Sequence, residues 1–245
     1  MAVDQTFLIR LSKIYQSEYE GKLENWPWYV FAAVTFQIYD EMPLIGQVWR
    51  TVLGQSAEEE NQLGRARQIR EALLKASVLV GFPKGINALS TLRKAIVDSA
   101  PELAQKLDRD TSLRRSIPQP DKVSRGRAFF SKLYAQHTDR VLQNMSRASG
   151  GDLAEFAINA VYGDLMAETS RLNEQSTGLL EFIACYGSGG STALQAKSHM
   201  FGCHNLGNTK AEIKSAIMIC NEIEKALDVR KDRSDWDWLT KIDSF

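Results

Sequence analysis

Asn173-Glu-Gln-Ser-Thr-Gly-Leu-Leu-Glu-Phe-Ile-Ala-Cys-Tyr186, then Gly187-Ser-Gly-Gly-Ser191, then Thr192-Ala-Leu-Gln-Ala-Lys-Ser-His-Met-Phe-Gly-Cys-His-Asn-Leu-Gly-Asn208 is the stretch that decides the fold. Leu179 to Tyr186 forms an apolar helix. The glycine-rich loop ends it, because each Gly costs a helix interior roughly 1 kcal/mol. A second helix follows and carries Gln195, His199, Cys203 and His204. His199 and Cys203 are spaced i,i+4, so both point from one face.

Helices extend outward from this hairpin in both directions. Downstream, Ala211 to Val229 places Ile213, Ala216, Ile217, Cys220, Ile223 and Leu227 in one stripe, and Thr209 with Glu212 makes a capping box. Upstream, Ala128 to Met145 and Asp152 to Tyr162 are helices separated by Ser149-Gly150-Gly151. Arg109 to Arg127, with Pro118, Pro120 and many charges, is the linker candidate. Before it come helices over Trp28 to Tyr39, Leu44 to Leu53, Gln68 to Val80 and Lys84 to Asp98. Trp26-Pro27 marks the entry to the first of these, and Gly81-Phe82-Pro83 the stop of the third. Glu58 to Glu60 is a solvated loop or a helix start. Val3 to Glu20 is expected to be an amphipathic helix on the main body. No segment shows sustained strand alternation, so the fold class is all-α.

The order of elements suggests an internal duplication, with Trp28 to Val80 repeated as Leu179 to Val229. The expected division is an N-terminal half over residues 1–108, a linker over 109–127 and a C-terminal half over 128–245. The halves differ chemically. Where the second offers Ser198-His199, the first offers Val48-Trp49, which cannot transfer protons near neutral pH.

Composition narrows the function. The 245 residues are 44% hydrophobic, enough for a substantial core, and thirty basic residues balance thirty acidic ones. Nothing in that balance draws the chain to nucleic acid or to a membrane surface. Three cysteines without a Cys-x-x-Cys pair fit a reducing intracellular compartment. No long apolar run suggests a signal peptide or a transmembrane helix. The mildly amphipathic, basic segment Phe7 to Tyr19 leaves organellar targeting open, while the final Ile-Asp-Ser-Phe does not match the Ser-Lys-Leu peroxisomal address. The expectation is a cytoplasmic protein. The Gly187 to Ser191 loop lacks the Gly-Lys-Ser/Thr ending of a phosphate loop. His199, Cys203 and His204 offer no fourth metal ligand. Neither a cofactor nor a metal is expected. Trp236 and Trp238 read as a C-terminal anchor that packs on the body or on a partner subunit.

The segment Gln195 to Ile213 resembles the helix-turn-helix signature of the carboxymuconolactone decarboxylase and alkyl hydroperoxidase D-like proteins. Ile69 to Leu89, Arg125 to Phe130 and Asp152 to Asp164 resemble further segments of that family in the same order. The resemblance implies a helical hydroperoxidase D-like bundle of two pseudo-symmetric halves, assembled as a homo-oligomer, a trimer or hexamer. It also implies either a decarboxylase-like lyase acting on a small carboxylate or lactone, or a non-catalytic oligomeric scaffold that binds a small molecule or protein. Peroxidatic members use a Cys-x-x-Cys pair before the signature His, and here those positions hold Thr192 and Gln195. A peroxidase reading therefore falls to Cys203 alone.

His199 matches the signature His and is the leading acid–base candidate, against a structural bond between helices. Glu181 is a candidate carboxylate partner across the hairpin, or one member of a structural salt bridge. Gln195 would orient a ligand carboxylate or carbonyl, or bond between helices. Cys203 would pair with His199 as a thiolate, or pack inertly in the core. Tyr162 and Asp164 are candidates to line the same pocket, against a core position for Tyr162 and an interaction with the following helix for Asp164.

Overall fold

The computed structural model describes residues 3–14 and 26–245, and all of their regular secondary structure is helical. The first half holds α1 (Gln5–Ser12), α2 (Trp28–Ile38), α3 (Met42–Gly54), α4 (Glu59–Val80), α5 (Phe82–Ser99) and α6 (Pro101–Asp108). The second holds α7 (Gln119–Tyr134), α8 (Thr138–Ser149), α9 (Asp152–Phe156), α10 (Glu174–Ser188), α11 (Ala193–Asn205) and α12 (Lys210–Ala226). Helix α9 runs on into a π-helix over Ala157–Met166. A final 3-10 turn covers Asp237–Ser244.

Two helices form the centre because their sequences are apolar nearly all round. Every residue of α2 is buried, and so is every residue of α10 from Thr177 to Gly187. They pack against each other, and around them the contacts repeat. Helix α2 lies on its hairpin partner α3 and on α4 and α12, as α10 lies on α11, α12 and α4. One hydrophobic core runs through both halves, and a smaller one joins α7, the π-helix and Leu206.

Local signals set the element ends. Asn173 caps α10 by accepting the Ser176 N–H at 2.8 Å, and Thr209 with Glu212 forms the expected capping box on α12. Gly189 and Gly190 turn the chain between α10 and α11 with φ of 64° and 54°, a conformation open to glycine. Gly126 and Gly163 let α7 and the π-helix touch backbone to backbone: a Cβ on Gly126 would sit 2.6 Å from the Gly163 nitrogen.

Four local expectations change or narrow. Glu58 to Glu60, read as a loop or a helix start, is the helix start, so the helix expected from Gln68 begins at Glu59 and is 22 residues long. The segment expected as one helix over Ala128 to Met145 breaks at Ala135, whose φ is 46°. There the Asn205 amide donates to the Leu133 carbonyl at 2.9 Å and takes over the end of α7. Gln119 to Arg127, read as linker, is the first part of α7, and Arg114 within the remaining connection is ion-paired to Glu71. The expected helix at Val3 to Glu20 is observed over Gln5–Ser12, with residues 15–20 outside the described residues.

The tryptophans near the end do anchor the C-terminal segment on the body. Trp236 is buried and stacks on Trp238, while the Arg233 guanidinium lies 3.9 Å over the Tyr186 ring and is ion-paired to Glu224.

Candidate functional site

The α10–α11 hairpin brings Glu181 and His199 together. The His199 Nδ1 lies 4.0 Å from the Glu181 carboxylate, with Glu181 wholly buried and His199 5% exposed. Neither carboxylate oxygen of Glu181, nor Nδ1 of His199, has a hydrogen-bond partner among the described residues. Buried polar groups are nearly always paired, and although single unpaired atoms occur elsewhere in the core, at Gln37 Oε1 and Ser215 Oγ, three lie together here.

Two tyrosines complete the cluster. Tyr162 comes from the π-helix, and the local widening to i,i+5 bonding is a feature found often at functional sites. Tyr134, the last residue of α7, lies with its ring 6.1 Å from that of His199. The Phe130 ring packs edge-on against Tyr162 and at 4.4 Å against Tyr134, so it holds both phenols in place. Charge on Glu181 would act on both hydroxyls, pushing the two phenols further above the position to which burial has already raised them.

Desolvation sets the protonation of the pair. Burial raises Glu181 to about 8, opposed first by the positive field of Lys75 and then by the Tyr162 hydroxyl. Burial lowers His199 to about 4. Near neutral pH the site therefore holds a carboxylic acid able to donate a proton and a neutral imidazole able to accept one.

Lys75 is the cation whose field acts on Glu181. Its side chain is completely buried on α4, and its ammonium donates to the Met166 carbonyl at 3.0 Å, the Glu168 carbonyl at 2.6 Å and the Thr177 hydroxyl at 2.8 Å. These bonds close the end of the π-helix and tie it to α10. Burial pulls Lys75 down to about 8, against the opposing charge of Glu71. Arg125 donates to the Gly163 carbonyl at 2.6 Å and Arg114 to the Asp164 carbonyl at 2.7 Å, so a set of cations caps the helix that carries Tyr162.

The remaining sequence candidates fall elsewhere. Gln195 is exposed at the start of α11 and does not face the pair, although it is one turn from His199. The sequence gives the shared helix face, but α10 and α7 do not cover that end of it. Asp164 lies within the π-helix but on its outer side, where it pairs with Lys122 at 2.6 Å. Cys203 is fully buried, and desolvation followed by the Glu181 charge pushes its thiol well up. That environment is the opposite of what a nucleophilic thiolate requires. His204, on another face, stacks on Phe245.

Sequence reasoning missed Tyr134 and Lys75. Tyr134 stands at a helix end that the pattern ran through. Lys75 did carry a signal: it interrupts the apolar run Ala72-Leu-Leu-Lys-Ala, where a charge without a buried partner would be costly. Among the described residues, no three His, Cys, Asp or Glu side chains gather as a metal would need, and no helix is long and apolar enough to cross a membrane.

No protein-family model and no solved structure matches the chain significantly. Two known proteins do. A Schizosaccharomyces pombe protein named peroxisomal protein 2 is 34% identical over 159 residues, spanning 64% of this chain and 69% of the relative. A Saccharomyces cerevisiae protein of the same name is 22% identical over 254 residues, spanning 82% of this chain and 88% of the relative. Both names overturn the cytoplasmic location expected from the sequence. A charge-balanced composition without long apolar runs is equally that of a protein inside an organelle, so composition did not separate the two.

Proposed function

Because the chain belongs to the family of peroxisomal protein 2, we propose that it is a peroxisomal protein, with Glu181 and His199 performing acid–base chemistry on a small carboxylate or lactone. One observation carries the chemical part: a carboxyl group and an imidazole nitrogen face each other in the core 4.0 Å apart, and among the described residues neither is within hydrogen-bonding distance of a partner. Leaving both unpaired costs stability, which a bound molecule bearing its own donor and acceptor would restore. The resemblance of Gln195 to Ile213 to the carboxymuconolactone decarboxylase signature supports the same class.

The protonation states assign the roles. When a substrate carboxylate leaves as carbon dioxide, the bonding pair remains on carbon and must take up a proton. Glu181, neutral near pH 7, is the donor, and the resulting carboxylate is balanced by the Lys75 ammonium. His199, neutral and unprotonated, accepts a proton from the substrate or orients it through Nδ1. The apolar surroundings keep water from competing for the carbanion.

A binding scaffold is the competing reading, favoured by how completely the pair is covered. A thermal-shift panel of small carboxylates and lactones separates them, because a ligand of the native state raises its melting temperature. The acid–base reading expects a ligand that stabilises the wild type, is turned over by it, and does neither with His199→Ala or Glu181→Gln. Equal shifts in all three proteins, without turnover, would leave the scaffold.

A further inference from the structure

A cavity of about 460 Å³ lies between α4, α5, α6 and the connection over residues 109–118. Its floor is apolar: Leu74, Leu89, Leu92, Ile96, Leu107 and Leu113 line it. Its mouth is not. Arg70, Arg93 and Arg114 reach the cavity, and the rim residues Asp108, Thr111 and Ser112 are exposed. Size and lining are those of a small-molecule site, with an apolar body and a few polar groups at one end.

At the polar end three carboxylates, Glu71, Asp108 and Asp110, are shared among five cations, because Arg67 and Lys75 draw on them as well as the lining arginines. Asp110 is shared between Arg67 at 2.7 Å and Arg70 at 2.5 Å. Glu71 is shared between Arg114 and Lys75. Arg93 takes Asp108 through Nε and Nη2, leaving Nη1 without a partner among the described residues. Arg70 spends Nη2 on Asp110 and makes only a long contact, 3.5 Å, from Nη1 to the Leu107 carbonyl. Both side chains are about two-fifths exposed at the cavity mouth. Two guanidinium groups with spare donors above an apolar floor match one anionic head carried on a hydrocarbon body, since a guanidinium fork suits a carboxylate.

We propose that this cavity binds a monocarboxylic acid with an apolar body, the carboxylate held by Arg70 and Arg93 and the body seated on the leucine floor. The site is separate from Glu181 and His199 and does not depend on their role. Its position gives it a structural effect as well. Asp110 to Arg114 form one wall, so an occupant would fasten the connection between the two halves onto α4 and α5.

The test compares octanoate with octanol and octylamine by thermal shift and calorimetric titration on the full chain. Octanoate at about five times its Kd is expected to raise the melting temperature by about 2–4 °C. Octanol and octylamine should bind at least tenfold more weakly. Arg70→Gln with Arg93→Gln should abolish octanoate binding, and Leu89→Trp, which fills the cavity from a half-buried position, should do so with both arginines intact. His199→Ala and Glu181→Gln should bind octanoate as the wild type does. Equal binding of all three probes, no octanoate binding, or binding that survives both Leu89→Trp and the arginine pair would overturn the assignment. Loss of binding in His199→Ala alone would place the acid at the other site and overturn it too.

Discussion

The hairpins α2–α3 and α10–α11 both pack on α4 and α12, and they have opposite contents. In the first, Trp49 is fully buried and its indole N–H donates to the Ser99 hydroxyl at 3.0 Å. In the second, His199, which the duplication expected from the sequence sets against Trp49, faces Glu181 with its Nδ1 unpaired among the described residues. Three residues further along, the same expected register sets Val52 of the first hairpin against Gly202 of the second. A Cβ on Gly202 would run into Leu133 of α7, so only the glycine admits the helix that brings Tyr134 to the cluster. One hairpin is packed for stability. Its counterpart gives up packing and hydrogen bonds to hold ionisable groups, which is the compromise expected of a functional site.

Cutting into the packed hairpin should have the largest effect. Trp49→Ala should cost about 3–5 kcal/mol of unfolding free energy, while His199→Ala should cost far less because it also removes an unpaired buried nitrogen. Denaturant titration of both variants reads the difference, and equal losses would erase the distinction between the hairpins.

Lys75→Met should come next, at about 3 kcal/mol, since it strips two carbonyls and the Thr177 hydroxyl of their donor and leaves Glu71 with Arg114 alone. Its second effect sharpens the comparison. Without the Lys75 charge the Glu181 carboxyl should rise further, as a pH titration of the folded variant would report.

Gly202→Val, which gives the second hairpin the residue of the first, should cost about 1–3 kcal/mol through overpacking against Leu133. Near-ultraviolet circular dichroism should show Tyr134 and Tyr162 displaced, whereas an unchanged spectrum and stability would mean that α7 does not depend on this contact.

Much of this arrangement was legible in the residues. Apolar periodicity placed the central helices, the Thr209–Glu212 pair marked the start of α12, and Gly81-Phe82-Pro83 the end of α4. His199 and Glu181 were readable as a pair because both stand on one helical hairpin. What was not legible depends on distant chain meeting distant chain. Lys75 reaches Thr177 across 102 residues, and Tyr134 is aimed by a helix break that an asparagine from α11 stabilises. Gln195 shows the same limit from the other side. The family resemblance made it a site candidate one turn before His199, yet it is exposed, and exposure depends on where the covering helices stop.

The smallest effect is a slope in stability with pH. Glu181 is raised in the folded chain, so its contribution is full below the ordinary carboxyl value and is lost as pH rises towards about 8. His199 is lowered, so its contribution is full above the ordinary imidazole value and is lost as pH falls towards about 4. The two oppose each other in mildly acid solution, and above it the Glu181 loss stands alone until about pH 8. Over that upper window the wild type should lose roughly 1 kcal/mol per pH unit. Glu181→Gln should show a flat profile there, and matching slopes in the two proteins would assign the loss to other groups.

The most direct test of a buried acid in the second hairpin is carbon-13 NMR of side-chain-labelled glutamate, with Glu181→Gln to assign the signal. The structure predicts one carboxyl resonance, absent from that variant, that stays protonated through neutral pH and titrates near 8. If the assigned resonance titrates with the surface glutamates instead, Glu181 is ionised at neutral pH, and the proton-donor role fails.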